Sequence, residues 1–216
     1  MKFVEKRDAI VFGSNGAIGS ECVRVLSEKF EVHKADRNTE FSPNTSKFST
    51  AVWAQGLNYT RNFLDTSEQD WKDIFESNFD YVRKTVKVLL DFNLVNSPSN
   101  FIFIGSIWSE LSRSNKSAYI SSKSALTGLT RALAVELGER RIRVNCLLPG
   151  VIDNKMSRNN LTVDQMDNLI SATPTRELIT ENNVAQIVEF LALNDSCGIS
   201  GQNIVVDNGW SIARSF

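Results

Sequence analysis

Histidine is almost absent from this chain: His33 is the one imidazole in 216 residues. Metalloenzymes usually draw on several imidazoles, and a Ser-His-Asp triad would have to be built around this single residue. The scarcity therefore favours proton transfer by another kind of side chain and gives no reason to expect a metal site.

Cysteines and long apolar runs are also few. The three cysteines, Cys22, Cys146 and Cys197, are odd in number and widely spaced, which is typical of reduced, buried thiols rather than of disulfide or zinc frameworks. No segment approaches the ~20 apolar residues of a membrane span, and the apolar stretch near the N-terminus is too short for a signal peptide. We therefore expect a cytoplasmic protein without a membrane partner.

Neither sign of charge is in surplus, because 24 basic residues face 25 acidic ones and the net charge is −1. Such a balance gives no general attraction to a nucleic-acid backbone or an anionic membrane. The length and the 42% hydrophobic content are ordinary for one globular domain spanning residues 1–216.

What the chain does have is a regular alternation of strand and helix patterns. The apolar run Ala9 to Phe12 is followed by a helical spacing of apolar residues from Ile18 to Phe30 and by a second strand near 31–36. Further strands are predicted near 50–54, 101–104, 142–147 and 203–206, with helices near 67–93, 117–138 and 181–192. The alternation predicts an α/β fold: a Rossmann-like doubly wound parallel sheet with helices on both faces, in three α/β/α layers.

The turn between the first strand and the first helix is rich in glycine. A strand–turn–helix of this kind lets the backbone approach a diphosphate while the helix N-terminus offers free N–H donors. Glycines at such a turn also occur for backbone reasons alone. The candidate cofactor-binding residues here are Gly13, Ser14, Asn15, Gly16, Ile18 and Gly19.

Asp36 lies at the end of the second strand, where a carboxylate can accept hydrogen bonds from both hydroxyls of an adenosine ribose. A carboxylate would repel a 2′-phosphate, and positions 14–16 carry no basic residue, so NAD is favoured over NADP. Arg37 follows directly and leaves NADP open, since it could meet a 2′-phosphate; a solvated surface arginine is the commoner case.

Tyr119 and Lys123 are four residues apart in a predicted helix and so share one face. A neighbouring ammonium is expected to lower the pKa of a phenol, which would make a proton donor without histidine. Ser106, at the end of the preceding strand, is placed to hydrogen-bond a substrate oxygen beside that phenol. A lone Tyr and Lys at this spacing is a weak signal.

Together these motifs resemble the short-chain dehydrogenase/reductase family, in its single-domain type and over nearly the whole chain. The resemblance rests on five features in family order. They are the Gly13–Gly19 turn, Ser106, the Tyr119/Lys123 pair, Arg143-Val144-Asn145 leading to Pro149-Gly150, and the closing segment 199–209.

The resemblance implies roles for individual residues. Tyr119 would be the catalytic acid/base, Ser106 would orient the substrate oxygen, and Lys123 would tune Tyr119 and bind the nicotinamide ribose. Asn78 would hold a water in the proton relay. The expected wall around the nicotinamide carboxamide is Pro149, Gly150, Val151 and Ile152.

The chain also departs from the family pattern. Ala17 replaces the middle glycine of the turn, and the family's Asn-Asn-Ala-Gly appears as Trp53-Ala54-Gln55-Gly56. Ala54, Gln55 and Gly56 then keep the backbone wall near the adenosine ribose but not the asparagine bonds. Asn154 stands where a threonine is usual and can still offer an amide to the cofactor. The polar segment 37–51 is too short for the usual third strand and its helix.

Residues 153–180 are polar and weakly periodic, and in this position the family carries its substrate-covering lid. Lys155, Arg158 and Arg176 there could meet an acidic substrate or be solvated charges. Polysaccharide sugars, acyl thioesters and small secondary alcohols stay open as substrates. The helices near 67–93 and 117–138 resemble those that form family homodimers and homotetramers.

Three functions are compatible with the sequence. The favoured one is an NAD(P)-dependent oxidoreductase that interconverts a secondary alcohol and a carbonyl. A catalytically silent nucleotide-binding or scaffold protein of the same fold is the alternative, suggested by the shortened adenine side. Epimerisation or dehydration is less favoured because no separate sugar-binding domain follows the Pro-Gly turn.

Overall fold

The computed structural model describes residues 6–42, 45–193 and 198–213, with the side chains of Met156 and Asn160 left out. Six parallel strands form one sheet in the order β2-β1-β3-β4-β5-β6. The strands are β1 (Arg7–Phe12), β2 (Phe30–Ala35), β3 (Phe48–Trp53), β4 (Val95–Ile104), β5 (Ile142–Pro149) and β6 (Asn203–Val206).

The α-helices are α1 (Ala17–Leu26), α2 (Glu68–Phe75), α3 (Tyr81–Asp91), α4 (Ser117–Glu136), α5 (Lys155–Asn160), α6 (Val163–Ala172) and α7 (Glu181–Ala192). A π-helical turn, Glu76–Asp80, joins α2 to α3 without a break. Short 3₁₀ turns lie at Ile107–Ser109, Gly138–Arg140 and Trp210–Ile212.

The two faces of the sheet are covered by different helices, because successive strand residues point to opposite sides. In β1, Ile10 and Phe12 enter one apolar cluster while Ala9 and Val11 enter the other. Residues of α3 and α4 pack in the first cluster, and residues of α1 and α7 pack in the second. The three-layer α/β/α fold is therefore confirmed.

The order of the strands changes direction at β1 and β3. The chain steps from β1 to β2 on one side, then crosses back past β1 to β3 and continues outward on the other side. In open α/β sheets, ligands bind at the carboxyl ends of the strands beside such a switch point. The turn after β1 and the segment after β3 lie at that position.

The predicted elements match closely, and the deviations are local. The helix expected near 67–93 is made of α2, the π turn and α3. The lid segment 153–180, which showed little periodicity, holds two helices; α6 begins with a capping box in which Thr162 and Gln165 bond each other's backbone N–H.

The shortened segment after β2 behaves as the sequence predicts. Between Ala35 and Phe48 the described residues contain no strand or helix, so β2 forms an edge of the sheet. Phe41 turns back and packs against Phe12, with ring centroids 6.0 Å apart.

The thiols that the structure describes, Cys22 and Cys146, are free and buried, as predicted. Burial raises the pKa of each to about 12, so both stay protonated and unreactive at neutral pH. Cys197 lies outside the described residues.

Candidate cofactor and catalytic site

The glycine turn after β1 is held in a shape that side chains would not allow. Gly13 has a φ of +74°, and a Cβ on it would lie 2.6 Å from the backbone nitrogen of Gln55. A Cβ on Gly19 would overlap the carbonyl oxygen of Gly13. The backbone of α1 therefore approaches the turn as closely as atoms permit.

The first turn of α1 offers donors to an anion. In the described part of the chain no side chain caps this helix and no acidic residue lies in its first turn. Exposed N–H groups and the partial positive charge of a helix N-terminus suit a diphosphate. The donor set of the turn thus fits the pyrophosphate of a dinucleotide.

Gln55 adds a second sign that a ligand belongs here. Its side-chain oxygen and nitrogen are both buried and have no hydrogen-bond partner within the described residues. Buried amides are nearly always satisfied, because leaving one unpaired is costly. Gln55 contacts the Gly13 turn, so a bound dinucleotide is well placed to satisfy it.

Asp36 follows β2 directly, and the Gly13 N–H donates to the adjacent Ala35 carbonyl oxygen at 3.1 Å. The Asp36 carboxylate accepts from the backbone N–H of Asn38 at 2.8 Å and from the Thr39 hydroxyl at 3.3 Å. These two bonds orient the Asp36 side chain at the end of β2; Asp36 and Arg37 are both exposed.

Tyr81 supports the same region, although the sequence did not indicate it. Its hydroxyl donates to the Asp36 carbonyl oxygen at 2.7 Å. The ring lies 6.1 Å from Phe12, edge to face. Trp53, where the family has asparagine, is core: it stacks on Phe12 and donates to the buried Thr85 hydroxyl at 2.8 Å.

Ser106, Tyr119 and Lys123 meet where β4 ends and α4 passes. The buried Ser106 accepts from the Trp108 N–H at 3.3 Å and is hydrogen-bonded to Tyr119. Lys123 is buried, and its Nζ lies 6.0 Å from the Tyr119 ring centroid. That Nζ donates to the Ile104 carbonyl oxygen at 2.8 Å.

The expected effect of the lysine on Tyr119 is wrong for this structure. Burial raises the pKa of Tyr119, and the hydrogen bond from Ser106 opposes that rise only in part. Burial also lowers the pKa of Lys123 to about 8. Lys123 is buried and Tyr119 is partly buried, so the charged form of each is disfavoured and Tyr119 is a neutral phenol at pH 7.

Asn78 enters the site from the π turn and is fully buried. Its amide oxygen accepts from the Leu57 N–H at 2.7 Å, and its amide nitrogen donates to the Leu57 carbonyl and the Ser122 hydroxyl, both at 2.9 Å. The Ser122 hydroxyl donates in turn to the Tyr119 carbonyl oxygen at 2.8 Å. Asn78 therefore ties the segment after β3 to α4.

Gly56 lies next to both Lys123 and Asn78. A Cβ on it would lie 3.4 Å from Lys123 Nζ and 3.6 Å from the amide oxygen of Asn78. The structure thus brings together all four predicted catalytic residues beside the predicted wall residues Ala54, Gln55 and Gly56.

The expected nicotinamide wall follows β5. The Gly150 N–H donates to the Val206 carbonyl at 2.9 Å, and a Cβ on Gly150 would lie 2.7 Å from the Cβ of Asp207. Val151 and Ile152 are half-buried. Asn154 is engaged within the protein: it caps α5 and donates its amide to Glu181 at 2.8 Å.

Two of the three basic residues singled out in the predicted lid, Arg158 and Arg176, bond to other residues of the chain. Arg158 makes two bonds to the Asp153 carboxylate, at 2.6 and 2.7 Å, and Arg176 donates to the Ser171 carbonyl oxygen. Lys155 is exposed. Arg158 and Arg176 therefore have partners other than a substrate.

A cleft of about 620 Å³ opens beside Trp210, and nothing in the sequence pointed to it. Its lining also includes Leu111, Pro174 and Arg176. Trp210 meets Trp108 edge to face at 5.9 Å, and Trp108 is two residues beyond Ser106. Only the tertiary structure shows that Trp210, near the end of the chain, lies close to the segment that follows Ser106.

Membrane-spanning helices and metal clusters are both absent from the described residues. None of their helices combines the length and the apolar character that crossing a membrane requires. They also contain no group of three or more His, Cys, Asp or Glu side chains that could hold a metal ion.

A parallel sheet with a glycine-rich β1–α1 turn and a Ser, Tyr and Lys group at its carboxyl edge defines a Rossmann-type dinucleotide-binding class. Comparison with known proteins agrees. A family model described as enoyl-(acyl carrier protein) reductase matches residues 43–211. The chain belongs to the short-chain dehydrogenase/reductase family of NAD(P)-dependent oxidoreductases.

Individual relatives cover nearly the full chain. "Nodulation protein G" of Rhizobium sp. (strain N33) is 28% identical, over 94% of this chain and 96% of its own. "Dehydrogenase/reductase SDR family member 6" of Aquarana catesbeiana is 25% identical, over 97% of this chain and 93% of its own. A solved structure, "4-hydroxyisoleucine dehydrogenase complexed with NADH", superposes with a TM-score of 0.83 at 22% identity. The superposition covers 97% of this chain and 100% of that one.

Proposed function

We propose that the protein interconverts a secondary alcohol and a carbonyl by hydride transfer, with Tyr119 as the acid/base. The observation that carries the proposal is the chain of contacts from Ser106 to Tyr119, from Tyr119 to Lys123, and from Lys123 past Gly56 to Asn78. On this proposal residues 1–216 act as one dinucleotide-binding and catalytic domain, with residues 153–180 as its lid.

The nicotinamide group supplies the hydride when it is bound. In the reductive direction the neutral Tyr119 phenol donates its proton to the substrate oxygen, and the Ser106 hydroxyl donates a hydrogen bond to the same oxygen. Both stabilise the negative charge that develops there. Lys123 binds the ribose hydroxyls, and Asn78 holds the segment after β3 against α4.

NAD is the cofactor we favour, and NADP stays possible. Asp36 is fixed at the end of β2, where a carboxylate accepts from ribose hydroxyls and repels a 2′-phosphate. Arg37, exposed and next to it, is the group that could accommodate that phosphate.

We propose that the protein assembles as a homodimer or homotetramer through α3 and α4. A groove of about 390 Å³ beside these helices has an apolar floor and a charged rim; its lining is Val86, Leu90, Leu129 and Leu133 with Arg83, Lys87, Asp91 and Arg140. Val135 on α4 is also exposed, with 82% of its surface accessible. Light scattering should give at least twice the chain mass of 24.2 kDa; a monomer mass at every concentration would contradict this.

The chemistry is tested by Tyr119→Phe, which removes the proton and keeps the ring. We expect turnover of a ketone or alcohol panel to fall by a factor of about 10³ or more, since both general acid catalysis and an oxygen-binding group are lost. NADH binding, measured by fluorescence titration, should stay within about twofold. Unchanged turnover in the variant would exclude Tyr119 as the acid/base.

A silent nucleotide-binding protein is the second candidate, because β2 is left as a sheet edge where the adenine side lacks a strand. The two candidates differ in one measurement. Cofactor binding without turnover of any panel substrate would favour the silent protein.

A further inference from the structure

A second lysine lies beside Tyr119, and the proposed chemistry makes no use of it. Lys116 directly precedes α4, three residues before Tyr119, while Lys123 is four residues after it. The two Nζ atoms lie 5.9 Å and 6.0 Å from the Tyr119 ring centroid.

Lys116 is buried, with 8% of its surface exposed, and its contacts are neutral. Its Nζ donates to the Asn58 amide oxygen and to the Thr60 hydroxyl, both at 2.9 Å. An ammonium has three N–H donors, so one is left over. Over the described ranges, Lys116 forms no ion pair with a carboxylate.

The surroundings of Lys116 are cationic. Burial and the nearby Arg113 lower the pKa of Lys116 to about 8, so it still carries its charge at pH 7. The Arg113 guanidinium lies over the Trp108 ring, 5.9 Å from its centroid. Trp108 in turn contacts Trp210, which lines the cleft.

A buried charge without a counter-ion is costly unless a ligand supplies one. Lys123 differs, because its Nζ donates to the Ile104 main chain and faces Gly56 at the cofactor side. Lys116 instead contacts Asn58 and Thr60, which lie farther along the segment that follows β3. The two lysines therefore flank Tyr119 and face different segments.

We propose that Lys116 binds an anionic group of the substrate, a carboxylate or a phosphate, while the substrate's reacting oxygen meets Tyr119 and Ser106. The substrate class is then a hydroxy acid and its oxo acid, or the corresponding hydroxyalkyl phosphate. This inference rests on the proposed function for its chemistry, but the anion site itself can be measured without turnover.

The first experiment compares matched substrates. The panel contains 2-, 3- and 4-hydroxy acids, their methyl esters, and hydroxyalkyl phosphates of equal length, each with NAD and with NADP. Wild type should prefer an anion to its neutral ester. In Lys116→Met the KM for the anion should rise by about 10- to 100-fold, which corresponds to loss of a charge-assisted hydrogen bond, while kcat/KM for the ester changes little.

Two further variants separate charge from structure. Lys116→Gln keeps a donor toward Asn58 and Thr60 but removes the charge, and it should lose the preference as Lys116→Met does. Lys29→Met removes an exposed lysine that pairs with Glu189 at 3.2 Å, and it should keep the wild-type preference. Thermal melts show whether each variant is folded.

The second experiment measures binding alone, by calorimetric titration of the same acids and phosphates into the protein with its cofactor. Binding by wild type and its loss in Lys116→Gln would support the anion site even where nothing is turned over, in which case only the proposed function fails. A stronger response to phosphates than to carboxylates would identify the source of the anion.

Two results would overturn the inference and leave the proposed function intact. One is turnover by wild type of neutral alcohols at least as efficient as that of the matched anions. The other is a folded Lys116→Gln protein that keeps the wild-type preference for anions.

Discussion

Two glycines determine the shape of the turn between β1 and α1. Gly13 and Gly19 lie back to back, and only the missing Cβ of Gly19 lets α1 start against the Gly13 carbonyl. Ala17 replaces a family glycine two residues earlier and forms the first residue of α1, so this departure from the family pattern falls on a position where the helix tolerates a methyl group.

Gly19→Ala should therefore disrupt the turn. The added methyl overlaps backbone that cannot rotate away, so α1 must shift. We expect a loss of about 1–3 kcal/mol in unfolding free energy, as overpacking usually costs, and at least a tenfold weaker NADH binding. Urea denaturation and fluorescence titration measure the two effects.

The matched control is Gly138→Ala. A Cβ there meets no atom within 4 Å, so both quantities should stay near wild type. Equal behaviour of the two variants would show that the contact between Gly13 and Gly19 does not hold the turn.

At the scale of elements, the π turn between α2 and α3 determines where the Asn78 side chain points. A π turn adds one residue to the helical repeat, and such turns occur often at functional sites. Here Ser77 and Asn78 are buried within it. The sequence predicts one continuous helix, and the apolar spacing does not show the extra residue. The π turn is held by hydrogen bonds from Asn78 to Leu57 and Ser122, which are distant in sequence.

Asn78→Ala should be costly for stability and for activity. It leaves the Leu57 N–H and carbonyl without their partner, and each unsatisfied buried group costs about 1–3 kcal/mol. We expect unfolding free energy to fall by about 2–4 kcal/mol and turnover to fall at least tenfold. Ser77→Ala, in the same turn, should change stability by about 1 kcal/mol or less; a loss as large as that of Asn78→Ala would assign the effect to the turn in general.

For the whole molecule, two buried lysines link stability to pH. The pKa of Lys116 and of Lys123 is about 8 in the folded protein, whereas the ordinary pKa of a lysine is 10.5, so the unfolded chain holds more protons between these values. Stability therefore rises as pH increases from about 8. Cys22 and Cys146 act in the opposite direction above pH 9, because burial raises the pKa of each to about 12.

Urea denaturation from pH 7.5 to 9 tests this linkage. Each buried lysine should contribute a gain of about 1 kcal/mol over that range, and each buried thiol should offset about 0.4 kcal/mol of it by pH 9. Lys123→Met should lose its share of the slope, while Lys29→Met, at an exposed site, should keep the wild-type slope. A slope that is the same in all three proteins would contradict the folded-state pKa of Lys123.

Local sequence patterns were enough to predict the sheet, the order of its elements and the short adenine side. These patterns are the apolar strand runs, the helical spacing, the glycine turn, and the Tyr119/Lys123 spacing that places both on one face of α4. The polar segment 37–51 is likewise predicted to be too short for a further strand and helix beside β2; its last residues differ from the prediction, because β3 begins at Phe48.

What surrounds the site could be learned from the packed fold alone. The fold buries Lys116 and Gln55, brings Trp210 to Trp108, engages Asn154 with Glu181, and raises rather than lowers the pKa of Tyr119. Each of these depends on residues distant in sequence or on exclusion of water. Desolvation and long-range contact arise when the chain packs, and no local spacing of residues encodes them.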